Sequence, residues 1–357
     1  MGRCRACGFV SDEISEAIGL CVKCLRENPS LSLEAVKRIR EEWRKSLNLP
    51  LYPPRSGNIT CHMCVNECSI PEGDFGYCGI IKNEGGRFST ISGGFNRAYL
   101  HWYFDPLPTN CVAAPVCPER ENYGFYNLAV FFAGCNLDCL FCQNIHHKYM
   151  IKDGKVRTNE GVILSDEELF KIAMDPRVAC ICFFGGDPIP HMAYTIKVAR
   201  KIIRYSKKVK RVCWETNGLM DTKITENVAK LCAETGGKVK IDWKAYSPTL
   251  YQILTGVDGE KAVERLKENV KILSKYGVLV VSTLVVPHYI DAVEIGSIAG
   301  FLASIDPDIP YILLGFAPQH LMFDIPTTSR KQMEEVYSAA LSAGLKNVHI
   351  GNRWLLR

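Results

Sequence analysis

From about residue 127 onwards the chain alternates short, nearly unbroken apolar runs with longer stretches that carry one apolar stripe. The runs are NLAVFFA (127–133), VACICFF (178–184), RVCWET (211–216), KVKIDW (238–243), VLVVSTLVV (278–286) and YILLGF (311–316). Runs of this length and composition predict strands buried on both faces, as in a parallel sheet. The clearest helix between them is 260–276, where Val263, Leu266, Val270 and Leu273 share one face and Gly277 stops it. Repeated strand–helix units predict parallel strands with right-handed crossovers. The first strand-to-helix turn lacks G-x-G-x-x-G, which argues against a dinucleotide-binding sheet. The predicted fold is α/β: a partial (β/α)6-type TIM-like barrel over residues 127–357, preceded by N-terminal cysteine-rich modules.

Before residue 127 the pattern is different. Residues 1–30 hold Cys4, Cys7, Cys21 and Cys24 in C-x2-C-x13-C-x2-C spacing. This is the spacing of a zinc-ribbon or rubredoxin-like knuckle, and four thiolates suit a closed tetrahedral site. So short a segment needs the metal's binding energy to fold. Zinc is the expected ion, with iron as the alternative. Residues 31–60 predict an amphipathic helix over SLEAVKRIREEWRKSL, capped by Ser32 and striped by Leu33, Val36, Ile39 and Trp43. A proline-rich linker, NLPLYPPRSGN, follows. Residues 61–126 form a leader with Cys61, Cys64, Cys68 and Cys78, where Gly73, Gly76 and Gly79 permit tight turns. These four cysteines are a candidate second metal site, zinc or iron–sulfur, against the alternative of buried free thiols. Cys111 and Cys117 follow in a proline-containing loop, without an assigned role.

Composition narrows the setting. A net charge of +5 over 357 residues is too weak and too dispersed to indicate nucleic-acid binding. MGRCRACGFVSDE has no apolar signal-peptide core, MGRCRA lacks a myristoylation signal, and no run is long enough to span a membrane. The expectation is a cytoplasmic protein. Seventeen cysteines in a reducing compartment read as metal or cluster ligands rather than disulfides.

In parallel α/β folds ligands gather at the carboxyl ends of the strands. Cys135, Cys139 and Cys142 follow the first strand in C-x3-C-x2-C spacing. GGDP (Gly185, Gly186, Asp187, Pro188) follows the second, Thr216 and Asn217 end the third, Asp242 and Lys244 close the fourth, and VVP ends the fifth. All share one rim. Four-iron clusters usually take four cysteines. Three would leave one iron with an open position, the mark of a catalytic site.

C-x3-C-x-aromatic-C after the first strand, with GGDP after the second, resembles the radical S-adenosylmethionine (radical SAM) enzymes. The resemblance spans about 61–352. The leader CHMC…C…GYCG, the loop GCNLDCLFCQN, the strand TLVVP and the terminal HIGN (His349 to Asn352) resemble the pyruvate formate-lyase activating enzyme branch, in particular the radical SAM member of the AmmeMemo system. The resemblance implies a [4Fe–4S] cluster on Cys135, Cys139 and Cys142 whose open iron is chelated by S-adenosylmethionine. It implies reductive cleavage of SAM to a 5′-deoxyadenosyl radical that abstracts hydrogen from a substrate, a protein glycine being the candidate. In this reading Phe141 packs near the adenine, and Gly185 and Gly186 leave backbone bare for the SAM amine. Asp187 and Pro188 complete that motif, Thr216 and Asn217 offer polar groups, Asp242 meets the ribose or amine, and Lys244 steadies a carboxylate. An electron donor such as ferredoxin or flavodoxin is the implied partner.

This chain departs from the branch at Asp187 where Glu is usual, at Ser282 where Arg is usual, and at Ala317, with His320 three residues on, where a histidine is usual. The alternatives are radical modification of a small molecule, lipid or RNA, and a non-catalytic zinc-rich scaffold. At the residue level, the cysteine triad has the alternative of a zinc site borrowing His146 or His147, otherwise read as loop surface. Asp242 and Lys244 have that of a structural ion pair. Cys180, Cys182, Cys213 and Cys232 fall within strands or a helix and read as core, and His191 and His288 have no evident partner.

Overall fold

The computed structural model describes residues 1–108, 111–157 and 159–357. A nine-stranded sheet runs through it. Its strands are β1 (Arg97–Pro106), β2 (Tyr126–Phe132), β3 (Val162–Ser165), β4 (Val178–Gly185), β5 (Arg211–Thr216), β6 (Val239–Asp242), β7 (Leu279–Val285), β8 (Tyr311–Gly315) and β9 (Val348–Gly351). The order across the sheet is β3-β1-β2-β4-β5-β6-β7-β8-β9. β2 and β4 to β9 are mutually parallel, while β1 runs antiparallel to β2 and β3 antiparallel to β1. The parallel strands follow chain order without reversal, so the sheet is singly wound and has no Rossmann-type switch point. β3 and β9 are its free edges and do not pair with each other.

The six expected strands are present, each with ends within a residue of the apolar run. Three additions were not expected, β3 (Val162–Ser165) on the edge beyond β1 being one of them. β9 is four residues, VHIG, too short and polar to stand out as a run. β1 comes from the leader and zips onto β2 over seven residue pairs.

The helices of eight or more residues are α1 (Ser30–Ser46), α2 (Asp166–Ala173), α3 (Met192–Tyr205), α4 (Thr222–Thr235), α5 (Pro248–Thr255), α6 (Gly259–Lys275), α7 (Ala292–Ala303) and α8 (Arg330–Ser342). α2 opens on a reciprocal capping box: Ser165 Oγ accepts from the Glu168 N–H, and the Glu168 carboxylate accepts from the Ser165 N–H. α6 matches its prediction. Asp258 caps it, Gly277 follows its end at φ +65°, and Val263, Leu266, Val270 and Leu273 are buried.

α1 differs from its prediction. Ser32 lies inside the helix and its hydroxyl donates to the Ile18 carbonyl; Pro29 occupies the cap position. The buried face is Ser32, Ala35, Val36, Arg40 and Arg44, while Leu33, Ile39 and Trp43 are half-buried. The two arginines turn inwards because carbonyl oxygens await them. Arg40 donates to Asp138 O at 3.0 Å, and Arg44 donates to Tyr77 O at 2.7 Å while lying over the Tyr77 ring.

The sheet's two faces are unequal, contrary to the expectation of full burial on both. Val212 and Trp214 of β5 are completely buried, and Trp214 Nε1 donates to Thr195 Oγ1 of α3. The alternate residues Arg211, Cys213 and Glu215 are half-buried on the opposite, inner face, which opens onto cavities. One contiguous core joins the knuckle, leader and sheet through residues such as Leu20, Tyr77 and Val130. No helix among the described residues is long and apolar enough to cross a membrane.

Candidate active site

A cleft of about 820 Å³ opens at the carboxyl ends of the parallel strands. That volume includes open solvent at the cleft's mouth. The loop after β2 lines it with Cys135, Cys139, Phe141 and Cys142; β4 ends in it with Gly185, Gly186 and Asp187; β5 contributes Thr216 and Asn217; Asp242 and Lys244 come from the end of β6. Leu284 and Leu314 close the far side from β7 and β8. Pro188 is not among the lining residues. It opens a helical turn, Ile189–His191, and its carbonyl accepts from the His191 N–H.

The cysteine loop is held from several directions. Asp138, fully buried at its centre, meets Lys148 and Arg44. Burial alone would raise its carboxyl, but these cations and Arg40 hold it well below the usual range. The loop backbone is pinned by Asp138 N–H to Thr255 O and Leu140 N–H to Leu254 O, at the end of α5. Asn66 of the leader donates to Asn136 O, and Asn217 donates to Asn136 Oδ1, both at 2.7 Å. Burial pushes the Cys139 thiol up to about 12, Cys135 well above its usual value, and Cys142 upwards. The bare site is therefore a set of neutral thiols, and binding iron there must release their protons.

The two glycines serve the protein's own packing. A Cβ at Gly185, whose φ is +112°, would lie 2.5 Å from Phe132 N; one at Gly186 would lie 2.0 Å from Gly134 O and 2.7 Å from the His147 ring. The obstruction is the cysteine loop and β2, so both positions need glycine for the protein's own packing as well as lining the cleft. Asp187 also points inwards. Its Oδ1 accepts from Thr216 Oγ1 and the Ile189 N–H, and its Oδ2 from the Asn217 N–H.

Asp242 and Lys244 form an ion pair at 2.8 Å, and Ser282 Oγ donates to the other Asp242 oxygen at 2.6 Å. Burial would raise Asp242, but Lys240, Lys244 and these hydrogen bonds keep it ionised well below the usual range. Ser282, a departure from the branch pattern, thus serves to orient Asp242. Lys244 Nζ stands 5.8 Å over the Phe141 ring.

Several residues escaped the sequence reading. His147 is buried, not loop surface. Its Nε2 lies 3.6 Å from Cys142 Sγ, its Nδ1 has no hydrogen-bond partner, and burial holds its pKa well below the usual value. His146 is exposed, as expected. Glu215 and Lys240 line the cleft and pair at 3.3 Å. Their alternation with Trp214 and Ile241 along the strands is the signal that could have placed them on the inner face. His191 Nε2 meets Ala133 O and its ring stacks on Phe132. His288 Nε2 accepts from the Val22 N–H.

The other cysteine groups are also brought together. The sulfurs of Cys4, Cys7, Cys21 and Cys24 all lie within 4.8 Å of one another, and Cys7 and Cys21 are 3.9 Å apart. Ligands at about 2.3 Å around one tetrahedral ion sit about 3.8 Å apart, so the group fits a single zinc or iron. Burial works to raise Cys4, but backbone N–H groups of Cys21, Cys7 and Ala6 bring it down to about 6; neighbouring Cys7 pushes Cys24 up to about 12. The knuckle sits on the segment beyond β7: the Ser15 N–H donates to Tyr289 Oη, Tyr289 donates to Leu20 O, and Glu16 N–H reaches Asp324. Cys61, Cys64, Cys68 and Cys78 line one small cavity with Asn136 and Ile189. Burial pushes Cys61 up to about 12 and Cys68 up to about 11.

Residues 129–302, the stretch that supplies most of the cleft, match the family model of the Radical SAM superfamily. The match covers just under half of the chain. The chain is 24% identical over 304 residues to an uncharacterized protein of Methanocaldococcus jannaschii, covering 82% of this chain and 81% of that one. A second uncharacterized protein of the same organism is 23% identical over 304 residues, covering 80% and 74%. Among solved structures, the fold is similar to a radical SAM methyltransferase from Sphaerobacter thermophilus, with a TM-score of 0.48 and 13% identity over 74% of this chain and 71% of that one.

The residues present fit the cofactors of that superfamily. Three thiols face one cleft, no fourth cysteine among the described residues lines it, and an aromatic ring and a lysine stand beside them.

Proposed function

We propose that Cys135, Cys139 and Cys142 hold a [4Fe–4S] cluster, that S-adenosylmethionine binds beside it, and that the enzyme abstracts hydrogen from a substrate. When bound, the cluster supplies the electron for reductive cleavage of SAM. The chain's own residues bind and orient. Phe141 offers its face to the adenine. Asp242, already satisfied by Ser282 and Lys244, acts by holding the Lys244 ammonium in place, and that ammonium receives a carboxylate. Asp187 positions the Thr216–Asn217 turn instead of touching the ligand. Leu284 and Leu314 keep the far wall apolar and restrict water.

Within this reading the sheet curves as a partial barrel around the cleft, and the substrate is a protein glycine, as in the activating enzymes that the leader and the GCNLDCLFCQN loop resemble. Ferredoxin or flavodoxin is the electron donor, and Cys4, Cys7, Cys21 and Cys24 carry zinc. The observation that supports the reading best is the convergence of three thiols, two glycines and the Thr216–Asn217 turn in one cleft.

The test is anaerobic reconstitution with iron and sulfide, followed by dithionite and SAM. Formation of 5′-deoxyadenosine and a SAM-induced change in the electron paramagnetic resonance spectrum are expected. Both should vanish in the Cys135→Ala/Cys139→Ala/Cys142→Ala variant. Wild-type protein that shows neither, or that takes up only zinc, would overturn the reading in favour of a scaffold.

A further inference from the structure

Five cysteines outside the cleft converge on a second cavity: Cys111, Cys117, Cys180, Cys182 and Cys213. They come from three separate segments. Cys182 and Cys213 are register partners on β4 and β5, and Cys180 precedes Cys182 on the same inner face. Cys111 and Cys117 belong to the connection between β1 and β2. That connection folds over the inner face, where Ala113 packs against Val280 and Ile312.

A lone buried cysteine in a strand is ordinarily a small hydrophobe, and Cys180, Cys182 and Cys213 read that way in sequence. Packing does not account for a loop that carries two more thiols to the same place. The cavity is polar along one side. The Lys238 N–H donates to Cys213 Sγ at 3.4 Å, and Arg211, Lys238 and Lys240 line it together with Glu215, which pairs with Lys240 and accepts from Cys111. Glu215 and Lys240 line both this cavity and the cleft, so the two adjoin within the sheet.

The kind of ligand follows from the sulfur spacing. Among the described residues, only the knuckle brings three or more potential ligands all within 4.8 Å of one another. No three of the cavity's described thiols are therefore preset around one ion, whereas a cluster presents several irons to its cysteines. We propose that this cavity binds a second iron–sulfur cluster, ligated by thiols drawn from Cys111, Cys117, Cys180, Cys182 and Cys213. The inference does not rest on the chemistry assigned to the cleft.

The test uses the full chain, anaerobically reconstituted with iron and sulfide. A Cys111→Ser/Cys117→Ser variant and a Cys182→Ser/Cys213→Ser variant should each lose about four irons and about four sulfides per chain relative to wild type. The same decrement should appear when either pair is added to the Cys135→Ala/Cys139→Ala/Cys142→Ala variant, which separates this site from the cleft. Cys232→Ser on α4, buried but not lining the cavity, should keep the wild-type content. Thiol protection gives a second readout on unmutated protein. Cys111 and Cys117 should resist N-ethylmaleimide in loaded protein and react after iron is chelated, as mapped by mass spectrometry. If the strand variant fails to fold, the loop variant and the protection pattern decide. Unchanged iron and sulfide in the loop variant, equal labelling before and after chelation, or zinc without sulfide in this cavity would each overturn the proposal.

Discussion

Asp187 shows how little of a motif residue's role is visible from its letter. Its carboxylate accepts three hydrogen bonds from the protein and lies beneath the cleft's surface. Burial raises its pKa from the usual 3.8 to about 6, and the hydrogen bonds only partly oppose the rise. The folded state therefore binds this proton more tightly than the unfolded chain. The resulting stability is complete below about pH 4 and is lost as the pH rises to about 6, roughly 3 kcal/mol in all. Asp187→Asn removes that dependence. Wild type should gain about 3 kcal/mol relative to the variant between pH 7 and pH 4 in urea unfolding of the metal-free chain. A difference that stays flat with pH would assign the titration elsewhere. Cys135, Cys139 and Cys142 were legible because ligand spacing is a local property. His147 was not, because its burial depends on Gly186, far along the chain, having no side chain to exclude the ring.

Among the elements, α1 is the most consequential departure. Its helical period was legible, but its buried face was not, because a pattern reading assigns arginine to solvent. Arg40 and Arg44 instead carry the helix against the cysteine loop, and Arg44 shares Asp138 with Lys148. Removing one member of a buried ionic group leaves the others uncompensated, at about 3–5 kcal/mol. Arg44→Met should destabilise the chain by that order in chemical unfolding. It should also lower the iron retained by Cys135, Cys139 and Cys142 on gel filtration, although Arg44 is not among the cleft's lining residues. Loss of stability with full iron retention would show that α1 braces the leader alone. The strands were read closely because each is a short apolar run. β3 and β9 were missed because they are four-residue edge strands, and β1 because RAYLHWYFDP mixes polar and apolar residues and forms no continuous apolar run.

At the scale of the whole molecule, every cysteine block of the sequence corresponds to a gathering of sulfurs. Besides the shared apolar core, the knuckle's polar ties to the rest of the molecule include Tyr289, His288, Asp324 and the Arg26–Asp291 and Glu13–Arg357 ion pairs. A closed four-thiolate site supplies much of the folding energy of so small a unit. Cys7→Ser should remove one metal ion per chain by mass spectrometry and expose residues 1–25 to limited proteolysis. The sheet's own unfolding midpoint should change little. Equal protease resistance in variant and wild type would show that docking alone keeps the knuckle folded. The sequence reading could identify the knuckle but not its seat, because no local pattern marks a partner hundreds of residues away.

That separation has a consequence for the order of assembly. The bond from Val22 to His288 spans 266 positions, and that from Ser15 to Asp324 spans 309. Synthesis runs from the amino end and domains settle as they emerge. The four-cysteine turns are thus synthesised long before their docking surface exists, and they must wait, tethered, until nearly all the remaining polypeptide has been made.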